Sequence, residues 1–162
     1  MTGPVILGTT PLTAAEVLAV ARHGARVELA PEAVAAMRAS RAVVEAIERD
    51  RRPVYGVSTG FGALATTVVP PPRRGELQHA LLRSHAAGVG PPMPREVVRA
   101  MLLLRARSLA AGRSGVRPQL AAALVDLLNH DLVPWVPRHG SLGASGDLAP
   151  LAHCALVLLG EA

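Results

Sequence analysis

Residues 140–153 of this 162-residue chain read GSLGASGDLAPLAH, a glycine-rich stretch that leads directly into an apolar segment. Glycines at positions 140, 143 and 146 indicate an irregular loop, because glycine has no side chain to restrict its backbone. Asp147 is of a residue type favoured at a helix N-cap, and the apolar residues after it predict a last helix ending near Gly160. This stretch therefore predicts a loop of small residues carried at the start of a helix.

The rest of the chain is also patterned for helices. Half of the residues are hydrophobic, mostly Ala, Leu and Val, and residues typical of strands are scarce. Thr13-Ala-Ala-Glu16 is a capping-box pattern, which predicts a first helix up to about His23. Proline and glycine positions delimit further helices over about 31–49, 73–87, 94–111 and 118–129. We therefore expect a mainly α fold with five to six helices, in which the loops carry the functional residues.

Two of these helices carry specific predictions about their faces. In the third helix, Ser84 and His85 fall on the same side as Leu77 and Leu81, which predicts a buried polar pair. In the fourth helix, the apolar spacing predicts an inward face whose members are Val97, Met101, Leu104 and Leu109.

Charge and composition exclude several classes of function. All 17 basic residues are Arg, and the net charge is only +5, so the high pI of about 11.1 reflects the chemistry of guanidinium more than a clustered basic face. The Arg residues are scattered, and we expect no nucleic-acid partner. Without Lys, the segment cannot form a Schiff base with pyridoxal phosphate (PLP).

Further exclusions concern metals, disulfides and membranes. Cys154 is the only cysteine, which excludes an internal disulfide and a multi-cysteine zinc site, and no pair of histidines has metal-ligand spacing. The first residues lack the pattern of a secretion signal. The longest apolar run, 148–159, is far shorter than the roughly 20 residues that span a bilayer. We expect no metal, no membrane partner and a cytoplasmic location.

A second glycine-rich loop, VYGVSTGFGALATT, covers residues 54–67. Three glycines within seven positions indicate irregular backbone that closely approaches another group. Taken singly, Tyr55 in this loop is most often a packing residue, and Ser145 is most often part of an ordinary turn. Single residues therefore do not establish a function.

Four sequence motifs that follow one another along the chain change that interpretation. YGVSTGFGALA (55–65), LQHALLRSHAAGVG (77–90), SGVRP (114–118) and GSLGASGDLAPLAH (140–153) together resemble the histidine ammonia-lyase branch of the aromatic amino acid lyase family. The resemblance covers nearly the whole chain and implies the helical fold of the fumarase/aspartase-like lyases. Ala80 is a departure, because many members carry Asn or Ser at this position.

The resemblance implies a prosthetic group made from the protein itself. In this family Ala-Ser-Gly cyclises into 4-methylidene-imidazole-5-one (MIO), so Ala144, Ser145 and Gly146 are predicted to form the electrophile. Cyclisation joins the Gly146 nitrogen to the Ala144 carbonyl carbon, a contact that planar peptides resist and a strained, glycine-flanked loop favours. Such a group supplies the electrophile that a Lys-free segment cannot make with PLP.

The resemblance also implies the remaining roles. Tyr55 matches the base that removes the β-proton of the amino acid substrate, and we expect its surroundings to favour the phenolate. Ser84, His85 and Gly62 match positions that bind the substrate. For histidine the products are trans-urocanate and ammonia.

Alternatives to this function remain open at this stage. Ser-His also occurs in tyrosine-type members, which leaves tyrosine or phenylalanine ammonia-lyase or aminomutase as a second interpretation. A non-catalytic helical binding domain is a third. Family members are much longer homotetramers that add catalytic residues beyond this region, so residues 1–162 are expected to be the N-terminal, MIO-bearing domain, inactive alone.

Overall fold

A computed structural model describes residues 3–50, 53–143 and 147–161. The predicted MIO residues 144–146 lie outside the described residues. In the described part, six α-helices alternate with short strands and loops. The helices are α1 (Ala14–His23), α2 (Pro31–Arg49), α3 (Arg74–His85), α4 (Arg95–Ala110), α5 (Pro118–Asn129) and α6 (Leu148–Leu158). The prediction of a mainly α fold is confirmed.

Local signals explain where these helices begin and end. The Thr13 hydroxyl accepts a hydrogen bond from the Glu16 amide at 3.3 Å, and the Glu16 carboxylate accepts one from the Thr13 amide at 2.7 Å. The hydrogen bonds that the Glu16 carboxylate accepts from the Thr13 amide and the Thr13 hydroxyl hold its pKa below the usual value. Gly24 ends α1 in the left-handed conformation, with φ of 65°. The predicted capping box is confirmed.

Two small sheets complete the described structure, and composition did not predict them. β1 (Val5–Leu7) pairs in parallel with β2 (Val27–Leu29), and β3 (Val89–Pro92) pairs antiparallel with β4 (Pro137–His139). The side-chain amide of Asn129 exchanges two hydrogen bonds of 2.9 Å with the backbone of Val27. The end of α5 is thereby fixed to the first sheet.

Helix α4 lies at the centre of the core and packs against α1, α2 and α5. The predicted inward face of this helix is partly wrong. Val97 and Leu104 are 42% and 50% exposed, whereas Leu109 is buried as expected. The inward positions belong instead to a set that includes a charged residue: Val98, Arg99, Leu102, Leu103, Ala106, Leu109 and Ala110.

Arg99 is buried because it binds the ends of two other helices. Its Nε and Nη2 donate to the Val20 carbonyl at 3.2 and 2.9 Å, and its Nη1 donates to the Leu128 carbonyl at 3.2 Å. Nη1 also lies 2.9 Å from the Asp131 carboxylate. Val20 and Leu128 are in the last turns of α1 and α5, where unpaired carbonyls attract a cation.

We expect Arg99→Ala to lower the free energy of unfolding by about 3 kcal/mol, because it removes the guanidinium donors of the buried Val20 carbonyl and one donor of the Leu128 carbonyl. Arg22→Ala is the matched control. Arg22 also joins α1 to α4, through Glu96 at 2.8 Å, but both side chains are about half exposed. Such a surface pair contributes about 0–1 kcal/mol. Urea unfolding followed by circular dichroism measures both losses, and equal losses would contradict this role of Arg99.

No helix in the described part of the chain is both long enough and apolar enough to cross a membrane.

Candidate functional site

A cavity of about 620 Å³ lies between the loop that follows α2 and helices α3, α4, α5 and α6. Its walls are mainly leucine side chains, and four polar residues reach it, namely Tyr55, Gln78, His85 and Arg105. Leu148 and Leu151 of α6 also line it. The cavity therefore brings together residues from the two glycine-rich regions and from the predicted Ser-His helix.

Tyr55 is held at this cavity by a turn that requires glycine. Gly56 has φ of 70°, and a Cβ atom there would lie 3.0 Å from the Phe61 ring. The Tyr55 and Phe61 rings meet edge to face, with centroids 5.8 Å apart. The Ser58 hydroxyl accepts a hydrogen bond of 2.8 Å from the Val54 amide. Tyr55 is 62% exposed, so its hydroxyl is accessible to another molecule.

The hydrogen bonds of His85 define which ring nitrogen carries a proton. Nδ1 lies 2.8 Å from the Leu81 carbonyl, which can only accept, so Nδ1 donates. The Ser84 hydroxyl donates to the same carbonyl at 2.9 Å and lies 3.0 Å from Nδ1. In the neutral ring, this arrangement leaves Nε2 as an acceptor. His85 therefore offers a hydrogen-bond acceptor at a mainly apolar cavity.

Two other predicted site residues do not line this cavity. Ser84 is exposed, so the prediction of a buried polar pair is wrong for Ser84, although His85 is half-buried. The face of α3 that meets the cavity consists of Gln78, Leu81, Leu82 and His85. Gly62 is exposed with φ of 55° and begins a short 3-10 helix, Gly62–Leu64. The substrate-binding roles of Ser84 and Gly62 stay predictions.

Residues on both sides of the predicted tripeptide are held close to each other. The Ser141 hydroxyl donates a short hydrogen bond to the Asp147 carboxylate and accepts one from the Gly143 amide at 3.1 Å. Gly143 has φ of 62°. Asp147 has φ of 39°, a left-handed conformation that costs energy for a residue other than glycine.

The predicted capping role of Asp147 is wrong in one respect. Asp147 occupies the N-cap position of α6, but its side chain makes no cap hydrogen bond. The left-handed backbone does not match the extended conformation of a capping residue, and the carboxylate binds Ser141 instead. Asp147 thus closes the base of the loop.

Cys154 also lines the cavity but is only 2% exposed. Burial raises the pKa of its thiol from 9.0 to about 12, so the reactive thiolate is not populated at neutral pH. We expect iodoacetamide at pH 8 to leave the folded chain unmodified while it labels the urea-unfolded chain fully, as read by intact mass.

The same shift in pKa gives stability a dependence on alkaline pH. In the unfolded chain the thiol loses its proton near pH 9.0, whereas in the folded chain it keeps it up to about 12. The contribution of the neutral thiol is therefore complete below pH 9 and is lost as pH rises towards 12. Cys154→Ala should therefore reduce the loss of stability between pH 9 and about 12. Rapid modification of Cys154 by iodoacetamide in the folded chain at pH 8 would contradict its burial.

Two of the four polar residues at the cavity had not been predicted as site residues. Gln78 lies seven residues before His85, and this helical spacing could have identified it as part of the same face. Arg105 carried no distinguishing signal, because the chain contains 17 scattered arginines. Among the described residues, no three His, Cys, Asp or Glu side chains are grouped as a metal site would require.

Comparison with known proteins identifies the family. Residues 12–162 match the family description "Aromatic amino acid lyase". The chain belongs to this family. It is 58% identical over 157 residues to a histidine ammonia-lyase of Streptomyces coelicolor, which covers 97% of this chain and 31% of that protein. The chain thus spans about a third of the length of the curated relatives it matches.

Solved structures of the aromatic amino acid lyase family share this fold. The tyrosine aminomutase of Streptomyces globisporus superimposes with a TM-score of 0.91 at 39% identity, covering 97% of this chain and 29% of the other. The histidine ammonia-lyase of Trypanosoma cruzi gives a TM-score of 0.88 at 41% identity, covering 98% and 30%. Because these two enzymes carry different names on one fold, the fold alone does not define the substrate.

Proposed function

We propose that this chain is the N-terminal, MIO-bearing domain of a cytoplasmic, homotetrameric histidine ammonia-lyase. The reaction is the non-oxidative elimination of ammonia from L-histidine, which yields trans-urocanate and opens histidine degradation. The single observation that carries this proposal is the shared cavity of Tyr55, His85 and the first turn of α6. Residues 1–162 supply part of the active site, and residues beyond them complete it.

The described residues on both sides of 144–146 fit the proposed prosthetic group. A loop that must bend one peptide onto another needs small residues and left-handed backbone positions, which Gly143 and Asp147 provide. Ser141 holds these two residues together through its hydroxyl. Ala144, Ser145 and Gly146 would form the group. When present, it supplies an electrophile that turns the amino group of the substrate into a leaving group.

Tyr55 and His85 have separate tasks in this proposal. Tyr55 removes the β-proton of the substrate, a role that needs an accessible hydroxyl at the cavity. His85 accepts a hydrogen bond at Nε2 from the substrate side chain, and the Leu81 carbonyl holds its ring in the required orientation. The imidazole of histidine has an N–H that can donate this bond, whereas a phenyl ring has none.

The similarity to tyrosine aminomutase supports a second candidate, a tyrosine-type lyase or aminomutase. A phenol can also donate a hydrogen bond to His85. Identity of 58% to a named histidine ammonia-lyase, against 39% to the aminomutase, favours histidine.

A chimera separates these candidates. The chimera consists of residues 1–162 of this chain followed by the remaining residues of the Streptomyces coelicolor relative. It is a complete enzyme to which this chain contributes the loop, Tyr55 and His85. Formation of urocanate, coumarate and cinnamate is followed by their ultraviolet absorbance. We expect kcat/KM for histidine to exceed that for tyrosine and phenylalanine by at least about 100-fold. Preference for tyrosine would support the second candidate, and a folded tetramer inactive on all three would contradict the proposal.

A further inference from the structure

Gly88 lies where three parts of the chain meet. It follows α3, it directly precedes β3, and its amide donates a hydrogen bond of 3.1 Å to Nε2 of His153 on α6. Val89 pairs with His139 in the second sheet, so Gly88 lies beside Gly140, the first residue after β4. The segment 140–147 starts at this point of contact.

The contacts around Gly88 leave little space for a side chain. A Cβ atom on Gly88 would lie 3.0 Å from His153 Nε2 and 3.1 Å from the Pro137 Cβ. A Cβ atom on Gly140 would lie 3.0 Å from the Gly88 Cα and 3.2 Å from Ala149. Backbone therefore packs directly against backbone, and the imidazole of His153 fills the remaining side of Gly88.

Gly88 is consequently a common anchor for both ends of the segment 140–147. The start of the segment is fixed by the contact between Gly140 and Gly88. The end is fixed because α6, which begins at Leu148, carries the His153 ring that accepts the Gly88 N–H. Within the described part of the chain, this is the only hydrogen bond between Gly88 and α6.

The bond also defines the state of the ring. A nitrogen that accepts a backbone N–H carries no proton of its own, so His153 is neutral, with its proton on Nδ1. His153 is half-buried. A leucine of similar size could fill its volume but could not accept from Gly88.

We propose that His153 is a positioning residue that fixes the separation between the two sides of the MIO-forming loop. The importance of this loop rests on the proposed function, whereas the hydrogen bond between Gly88 and His153 does not depend on it. His153 acts through Gly88 and has no contact with substrate in this role.

Hydrogen–deuterium exchange of the purified chain tests the proposal with two variants. His153→Leu removes the acceptor, whereas His153→Gln keeps one, because the amide oxygen of Gln can replace Nε2. Exchange is compared in peptides that cover 86–92, 136–143 and, as an internal control, 95–110 in α4. We expect the Leu variant to exchange at least about tenfold faster in the first two peptides and unchanged in α4. The Gln variant should retain most of the protection.

Two results would overturn the inference. One is unchanged exchange of 136–143 in His153→Leu, and the other is a parallel increase in every peptide, which indicates general destabilisation. Intact mass of the same samples tests the proposed function separately. The quantity compared is the fraction of molecules that have lost two water molecules. A fraction that is high in the unsubstituted chain and lower in His153→Leu supports both the proposed function and the positioning role. Equal fractions in the two proteins count against the positioning role alone.

Discussion

Tyr55→Phe should lower kcat of the chimera on histidine by about 10³-fold, because a positioned general base contributes about 10²–10⁴-fold. The substitution removes one hydroxyl and keeps the ring that meets Phe61 edge to face. The turn and the cavity wall should therefore remain as they are. Steady-state formation of urocanate measures kcat, and the intact mass shows whether the prosthetic group still forms.

Phe61→Leu is the control for this prediction. It removes the aromatic contact of Tyr55 while keeping the hydroxyl. We expect a much smaller fall in kcat, of about tenfold or less. Retention of a tenth of the unsubstituted kcat by Tyr55→Phe would contradict the role of Tyr55 as the base.

Ser145→Ala should abolish turnover to the uncatalysed background, a fall of about 10⁶-fold or more. Loss of water from Ser145 is the step that creates the electrophile, and Ala has no hydroxyl to lose. Residues 1–162 contain no Lys that could hold pyridoxal phosphate as a Schiff base and so replace the lost electrophile. The chimera carrying Ser145→Ala should keep its fold and show no activity on histidine.

Ser141→Ala is the matched control for the loop. Ser141 has the same side chain four residues earlier, and it binds Asp147 and Gly143 without belonging to the tripeptide. Its loss should slow or reduce formation of the group and leave activity in proportion to the modified fraction. Activity of Ser145→Ala within tenfold of the unsubstituted chimera would contradict the proposed origin of the electrophile.

The helices could be predicted from the sequence because their signals are local. Thr13 and Glu16 make the capping box, and prolines at positions 31 and 118 occupy first turns, as expected for residues with no amide hydrogen. The strands could not be predicted in this way. Segments of three or four residues such as Val5–Leu7 are too short to show alternation, and their pairing depends on distant parts of the chain.

The prediction of the inward face of α4 was partly wrong for a specific physical reason. An apolar pattern assumes that charged residues face water, but Arg99 faces inward because two helix ends and Asp131 satisfy its nitrogens. These partners come from α1 and from the end of α5, which no periodicity in α4 can reveal. Once Arg99 is assigned inward, Val98, Leu102 and Leu103 follow.

The candidate site depended on a different kind of information. Tyr55 and His85 are thirty positions apart, and neither spacing nor composition joins them. The resemblance placed both at one site, and both line the same cavity. The hydrogen bond that fixes the ring of His85 and the short bond between Ser141 and Asp147 became visible only in three dimensions.

Intact mass spectrometry of the chimera tests most directly the claim that Ala144, Ser145 and Gly146 form an electrophile. Peptide mapping then locates any change in mass. We predict the loss of two water molecules, confined to the peptide that contains these three residues and absent from Ser145→Ala. A folded tetramer with the full sequence mass would contradict the account.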